Sequence, residues 1–337
     1  MADYEERALG ALYGLAVGDA LGMPTQMWSR QKIKARFPHL DGLVPGPRDN
    51  TISRGEPAGR VTDDTEQALL LADLLVEGCG RVDARAFAER LWAWAEPVRQ
   101  RGSDPLGPSS RRAVEAVRQG VPVEEAGLGG VTDGAAMRIA PLGVAAPPWP
   151  LAALVRRVAE AVRVTHNTGV ALAGASAVAA AVSLGVEGAT FAEQCAGALE
   201  AARAGQRLGR EARPPDIAER IGSALAVAAD ESGPAALDAI AERVGTGVET
   251  EQAVPAAFAV WALHPRDPWH VCLDAAVLGG DTDTIAAMAG AMAGAGTGVN
   301  AFPGPVRRRV TAVNELKLEE VAAALLRLRV RQPPRDV

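Results

Sequence analysis

Lysine is nearly missing from this chain. Lys32, Lys34 and Lys317 are the only ones, and arginine supplies the rest of the basic charge. This reads as the codon usage of a GC-rich genome before it reads as function. The net charge of -6 argues against a general nucleic-acid-binding surface. The three cysteines, Cys79, Cys195 and Cys272, lie far apart and without metal-ligand spacing. They point to buried thiols in a reducing compartment and not to a disulfide scaffold. The opening MADYEER carries acid where a secretory leader carries base, so a cytoplasmic location is expected. Aromatic residues make up only 4% of the 337 residues, whereas the hydrophobic share is 48%, ample for a sizeable core. No stretch alternates in the manner of a β-strand, and no linker divides the chain. Two uncharged stretches, Thr168–Val186 and Thr284–Phe302, are long enough to raise a membrane question. Both are mostly Ala and Gly, which fits buried helices of a tightly packed protein better.

What the chain does have is helical periodicity and two unusual turns. The first is VTDDTE, Val61 to Glu66, and the second is GGDTDT, Gly279 to Thr284. Each stands directly before an Ala- and Leu-rich run that reads as a helix. Thr and Asp are common helix N-caps, and a capped helix start needs no function. A cap, however, needs one oxygen, whereas each of these turns offers several. Two such clusters are costly to bring together unless a cation neutralises them, and hard divalent cations take oxygen ligands. The expectation is that the two turns meet and hold one or two Mg2+ or Mn2+ ions.

The remaining chain frames these turns. A helix is expected over 5–22, ending in GDALGMP, Gly18 to Pro24, where Asp19 reads equally as a satisfied core acid or a site acid. Residues 38–60 form a long aperiodic loop, a kind that is often functional. Further helices are expected at about 65–77, 83–96 (ending before Pro97), 110–119, 151–164, 167–184, 189–204, 215–230, 234–243, 251–263, 268–278, 284–294 and 305–329. The Gly-rich GLGGVTDGAAMR, Gly127 to Arg138, has the look of a ligand loop, because such turns can present backbone N–H groups to phosphates. His166 sits at a helix junction, where a capping or core role is the commoner one. The reading is an all-α, single compact multi-helix domain over 1–330, with a frayed tail over 331–337.

The chain resembles the ADP-ribosylglycohydrolase family over nearly its full length. The resemblance rests on LAVGDALG (Leu15 to Gly22), VTDDT (Val61 to Thr65), the GAAMR loop (Gly134 to Arg138), the Thr165–His166 pair and LGGDTDT (Leu278 to Thr284). It implies an all-α fold around a binuclear Mg2+ or Mn2+ centre. Thr62, Asp63 and Asp64 would supply ligands from the first motif, and Asp281, Asp283 and Thr284 from the second. The 132–138 loop, with Asp133, Gly134, Ala135 and Met137, would line an ADP-ribose cleft together with His166. Asp19 would support the site from behind. The implied reaction is hydrolysis of an N-glycosidic bond to ADP-ribose, as in ADP-ribosyl-arginine on a protein. Such a reaction needs an oriented ribose, an activated water and help to the leaving group. Asp63 or Asp64 is the candidate to take the water's proton.

Two positions depart from the family pattern. Many members carry a Glu seven residues after the Asp of GDALG, and this chain has Gln26 there. Glutamine can hydrogen-bond a substrate hydroxyl but cannot act as acid or base. The loop reads Asp133 where an Asn is usual, and a carboxylate facing a pyrophosphate would repel it. These departures keep two other readings open: a hydrolase of a small N-riboside or nucleoside, and a non-catalytic ADP-ribose-binding protein. The expected partner is an ADP-ribosylated protein or a small ribosyl substrate, with no nucleic acid and no membrane.

Overall fold

The computed structural model describes residues 2–100, 104–209 and 215–330. The expected tail over 331–337 lies outside the described residues. The helices are α1 (Ala2–Gly22), α2 (Arg30–Arg36), α3 (Asp63–Glu77), α4 (Ala84–Arg99), α5 (Pro108–Arg118) and α6 (Val123–Ala126). They continue as α7 (Gly134–Met137), α8 (Ala140–Ala145), α9 (Leu151–Val162), α10 (Gly169–Val186), α11 (Phe191–Gln206) and α12 (Ile217–Asp230). The last are α13 (Pro234–Arg243), α14 (Thr250–Leu263), α15 (Pro268–Ala276), α16 (Thr282–Thr297), α17 (Gly304–Asn314) and α18 (Leu318–Val330). The described residues contain no strand. Two isolated antiparallel bridges, Trp28 with Gly280 and Thr132 with Glu249, take the place of sheet structure. The all-α expectation holds, and the helices enclose one continuous core.

The scarcity of rings has its counterpart in how α1 meets α16. Gly10, Gly14, Gly18 and Gly22 recur every fourth residue and so form one stripe. A Cβ on the first three would stand 2.1, 2.0 and 2.1 Å from the carbonyls of Gly294, Gly290 and Ala286. At Gly22 it would stand 2.4 Å from the Cα of Asp283. The two backbones therefore touch along their length, which only glycine permits. The contact delivers the end of α1, with Asp19 on it, to the start of α16. Beside this pair, α10 is buried along its whole length. It is the one described helix long and apolar enough to cross a membrane, and its complete burial makes it a core helix instead.

Three helical expectations needed revision. The helix α4 runs past Pro97 to Arg99, since a proline in the last turn forfeits only one backbone bond. The helix α2, between α1 and the long loop, carried no periodic signal because only Ile33 is buried in its seven residues. The single helix expected over 305–329 is two. Asn314 ends α17 by donating its side-chain amide to the carbonyls of Val310 (2.8 Å) and Gly59 (2.7 Å). Glu315 then adopts a left-handed conformation with φ 54°, and α18 leaves at a new angle. A side-chain amide competing with the helix is the cause.

Candidate metal and substrate site

The two acidic turns are both helix starts. Thr62 is the N-cap of α3 and Asp281 that of α16, and neither side chain caps its own helix. The plain capping reading of these motifs therefore fails. Capping of α3 is done from α1 instead. The Asp19 carboxylate accepts from the N–H of Thr62 (2.9 and 3.0 Å) and of Thr65 (3.1 Å). It also accepts from the hydroxyls of Thr62 (2.8 Å) and Thr65 (2.5 Å). Asp19 is wholly buried. Burial pushes its pKa up to about 6, against the pull of these hydrogen bonds from Thr65 and Thr62. The Thr62 hydroxyl also lies 3.0 Å from Oδ2 of Asp64.

The second turn is fixed by backbone pairing. Gly279 and Gly280 have φ of 92° and 74°, so the chain reverses there at no steric cost. The Met27 N–H donates to the Gly280 carbonyl (2.7 Å), and the Gly280 N–H donates to that of Trp28 (2.8 Å). The Asp281 N–H donates to the Thr246 carbonyl (2.7 Å). Thr282 turns inward and donates to the Gly22 carbonyl (3.0 Å). Asp281, Asp283 and Thr284 are left facing the first turn, each buried.

The two turns meet. Burial is the main cause that pushes Asp64 well above its ordinary pKa, followed by the charges of Asp19, Asp283, Asp63 and Asp281. Asp283 is pushed up in the same way, by burial first and then by Asp281, Asp19 and Asp63. Asp63, half-buried, is pushed up to about 7 by burial and by Asp19. A sixth carboxylate joins them. Asp133, expected against a pyrophosphate, lies within hydrogen-bonding reach of Asp281 and is pushed well up by burial.

Whether this set suits a cation is decided by its unpaired oxygens. Oδ1 of Asp64, Oδ2 of Asp133 and Oδ1 of Asp283 are buried without a hydrogen-bond partner. Buried charged oxygens are not left so unless something else meets them. Two helix N-termini point at the cluster and offset part of the charge, but only by fractions of it. An all-oxygen donor set with excess negative charge fits Mg2+ or Mn2+. The oxygens converge without closing into a cage: among the described residues no three His, Cys, Asp or Glu side chains stand in a finished metal-binding arrangement.

Behind the cluster runs a buried polar chain that the sequence did not reveal. Gln67, on the turn of α3 after Asp63, donates to Asp63 Oδ2 (2.9 Å). Arg138 donates to the Gln67 carbonyl oxygen, to Thr165 Oγ1 (2.6 Å) and to Ser110 Oγ (3.3 Å). His166 was expected to line the cleft, and the structure puts it behind the loop. It is 0% exposed, with Nε2 3.1 Å from Thr132 Oγ1 and Nδ1 2.8 Å from Thr165 Oγ1. Burial, then the Arg138 charge, holds its pKa well below the usual histidine value, so it is neutral. A Cβ on Gly134 would stand 3.0 Å from the His166 ring, which is why glycine is needed there. Ala135 and Met137 are buried with it in α7.

Gln26 lies in the turn paired with Gly280, next to Asp281. It is buried, and its amide donates to the Met23 carbonyl (3.2 Å). A strap missed by sequence reasoning, residues 244–250, ties the loop to the second turn. Its Thr246 carbonyl accepts from Asp281, and its Val248 carbonyl accepts from the Asp133 N–H (2.9 Å).

Comparison with known proteins agrees with the fold. The Escherichia coli protein YegU, itself called uncharacterized, is 38% identical over 325 residues, 96% of this chain and 97% of its own. The ADP-ribosylarginine hydrolase Tri1 of Pseudomonas putida is 30% identical over 310 residues, 88% of this chain and 72% of its own. A solved structure described as an ADP-ribosylglycohydrolase-related protein complex superposes with a TM-score of 0.72 at 29% identity. It covers 97% of this chain and 99% of that one. The sequence pattern of one family spans residues 1–335, and on that match the chain belongs to the ADP-ribosylglycohydrolase family.

Proposed function

We propose that this protein is a divalent-metal-dependent hydrolase that cleaves an N-glycosidic bond to ADP-ribose, with ADP-ribosyl-arginine on a protein as the first substrate to test. The observation that carries the reading is the meeting of two acidic turns from opposite ends of the chain, with three buried carboxylate oxygens lacking any partner. The named activity of Tri1 supports the substrate class. Thr62, Asp63, Asp64, Asp281, Asp283 and Thr284 would hold one or two Mg2+ or Mn2+ ions, and Asp133 stands close enough to join them. Bound there, such ions orient ribose hydroxyls and acidify a water molecule.

The protein's own residues supply the rest. Asp63 is less buried than Asp64, and Gln67 holds its Oδ2, so Oδ1 is the atom that takes the water's proton. Asp64, buried and bonded to Thr62, is a holding group and not the base. Gln26 offers a neutral amide for a substrate hydroxyl. Asp133 turns towards Asp281, which spares a pyrophosphate the repulsion its position in the loop would otherwise cause.

A second reading, a hydrolase of small N-ribosides, rests on Gln26 alone. Product chromatography separates the two. Purified protein is incubated with ADP-ribosyl-arginine peptide or with a nucleoside panel, each with Mn2+ and with chelator. Metal-dependent release of ADP-ribose is expected. Release of free ribose from a nucleoside only would establish the second reading, and silence on both substrates would leave a binding protein.

A further inference from the structure

Arg138 is 0% exposed and, among the described residues, makes no ion pair with a carboxylate. Its guanidinium is held by neutral groups: Gln67, Ser110, Thr165, the His166 ring nitrogen at 3.3 Å, and the Phe87 ring, whose centroid is 5.2 Å away. A buried guanidinium is expensive to desolvate, and a direct carboxylate partner is the usual compensation. Asp63 is near enough for its charge to act on Arg138, yet the Gln67 amide stands between them. One end of that amide donates to Asp63 Oδ2 and the other accepts from Arg138. Both ends of the side chain are thus committed, which sets its orientation without ambiguity.

We propose that Gln67 and Arg138 are positioning residues: Gln67 fixes the Asp63 carboxylate and keeps Arg138 from pairing with it, and Arg138 ties the first acidic turn to the 132–138 loop. The inference rests on the metal-dependent reading given above. A direct Arg138–Asp63 ion pair would satisfy the carboxylate and withdraw it from any cation. The amide spacer transmits orientation while leaving the negative charge on Asp63 available. On its far side, Arg138 meets Thr165 Oγ1 and His166 Nδ1, and the other ring nitrogen of His166 meets Thr132, the residue before Asp133. The two walls of the site, α3 and the loop, are thereby joined by one chain of hydrogen bonds. Partners of this kind, one bond removed from a metal ligand, orient it and raise its affinity.

The test uses the full chain and three measurements on Gln67→Met and Arg138→Lys. These are the Mn2+ affinity by calorimetry without substrate, kcat and KM on ADP-ribosyl-arginine, and the thermal midpoint in chelator. Gln67→Met keeps the volume and loses both hydrogen bonds. It is expected to weaken Mn2+ binding about tenfold and to lower kcat by a similar factor, with KM little changed. Arg138→Lys keeps the charge without the planar fork and is expected to fall between Gln67→Met and wild type. A purely structural role would lower the thermal midpoint and leave Mn2+ affinity and kcat of the folded protein at wild-type values, and that result would overturn the proposal. The two failures are distinguishable. A wild-type chain that binds no Mn2+ and is inactive removes the metal reading and this inference with it. A wild-type chain that binds and turns over, with Gln67→Met equal to it, removes only this inference.

Discussion

The two acidic turns look alike in sequence and are held in opposite ways. In the turn of α3, Asp63 takes the Gln67 amide, Asp64 shares the Thr62 hydroxyl with Asp19, and Asp19 caps the helix from behind. In the turn of α16, the hydroxyl of Thr282 is spent on the Gly22 carbonyl, and Asp281 and Asp283 face each other and Asp133. Oδ1 of Asp64 in the first turn, Oδ1 of Asp283 in the second and Oδ2 of Asp133 in the loop are each buried without a partner. The carboxylates of the first turn are therefore oriented largely by side-chain donors, whereas those of the second ride on a backbone pinned by Met27, Trp28 and Thr246 and meet mainly other carboxylates.

The largest effect that would test the contrast comes from Asp283→Ala. Hydrolysis of ADP-ribosyl-arginine is expected to fall about 10³-fold or more, as several kcal/mol of charge stabilisation are withdrawn. In chelator, the same variant is expected to melt at or above the wild-type temperature, because it removes a carboxylate that meets mainly other carboxylates. A thermal midpoint several degrees lower in chelator would show that the second turn is held by the protein after all.

Asp19→Ala should have the opposite sign in the same assay. The substitution leaves two backbone N–H groups and two hydroxyls without their acceptor, in a fully buried place. The loss is expected to be about 3 kcal/mol in chelator, partly offset by relief of repulsion on Asp63 and Asp64. Chemical denaturation in chelator measures it, and an unchanged midpoint concentration would mean that Asp19 does not hold α3.

These two residues also mark what could be read without the structure. Helical periodicity exposed most of the long helices, because their buried faces repeat locally. The paired turns stood out because their oxygens exceed what capping uses. Asp19 was visible only as an acid in apolar company. Its role depends on α1 lying backbone to backbone against α16, which a stripe of glycines permits but does not announce. Asp133 looked like a substrate contact because it follows a Gly-rich run, and only the strap at 244–250 turns it into the acid cluster. Gln67 carried no signal, since a lone Gln on a helix suits a solvated surface equally well, and Arg138 entered only as the end of the GAAMR loop, with no role of its own. His166 was read as a cleft residue by resemblance, whereas both of its nitrogens are engaged inside.

The smallest effect concerns pH and the cation together. Asp19 and Asp63 rise from an ordinary 3.8 to about 6 and about 7 in the folded protein, and Asp64, Asp133, Asp281 and Asp283 are also raised well above the ordinary carboxylate value. A carboxyl whose folded pKa is raised favours the folded state while it stays protonated. That contribution is present below about pH 4 and is lost as pH rises through the folded values, towards neutrality and beyond. The metal-free protein is therefore expected to lose stability between pH 5.5 and pH 8. A divalent cation displaces those protons and supplies the missing positive charge, so the bound form escapes the loss. The stabilisation by Mn2+ over chelator should accordingly be larger at pH 8 than at pH 5.5, by at least about 1 kcal/mol, roughly one pKa unit's worth. Asp283→Ala and Asp19→Ala should each shrink the difference, because the charge of each raises its neighbours across the two turns. An equal Mn2+ increment at both pH values would mean that the carboxylates are neutralised from within the protein, and the contrast between the two turns would collapse.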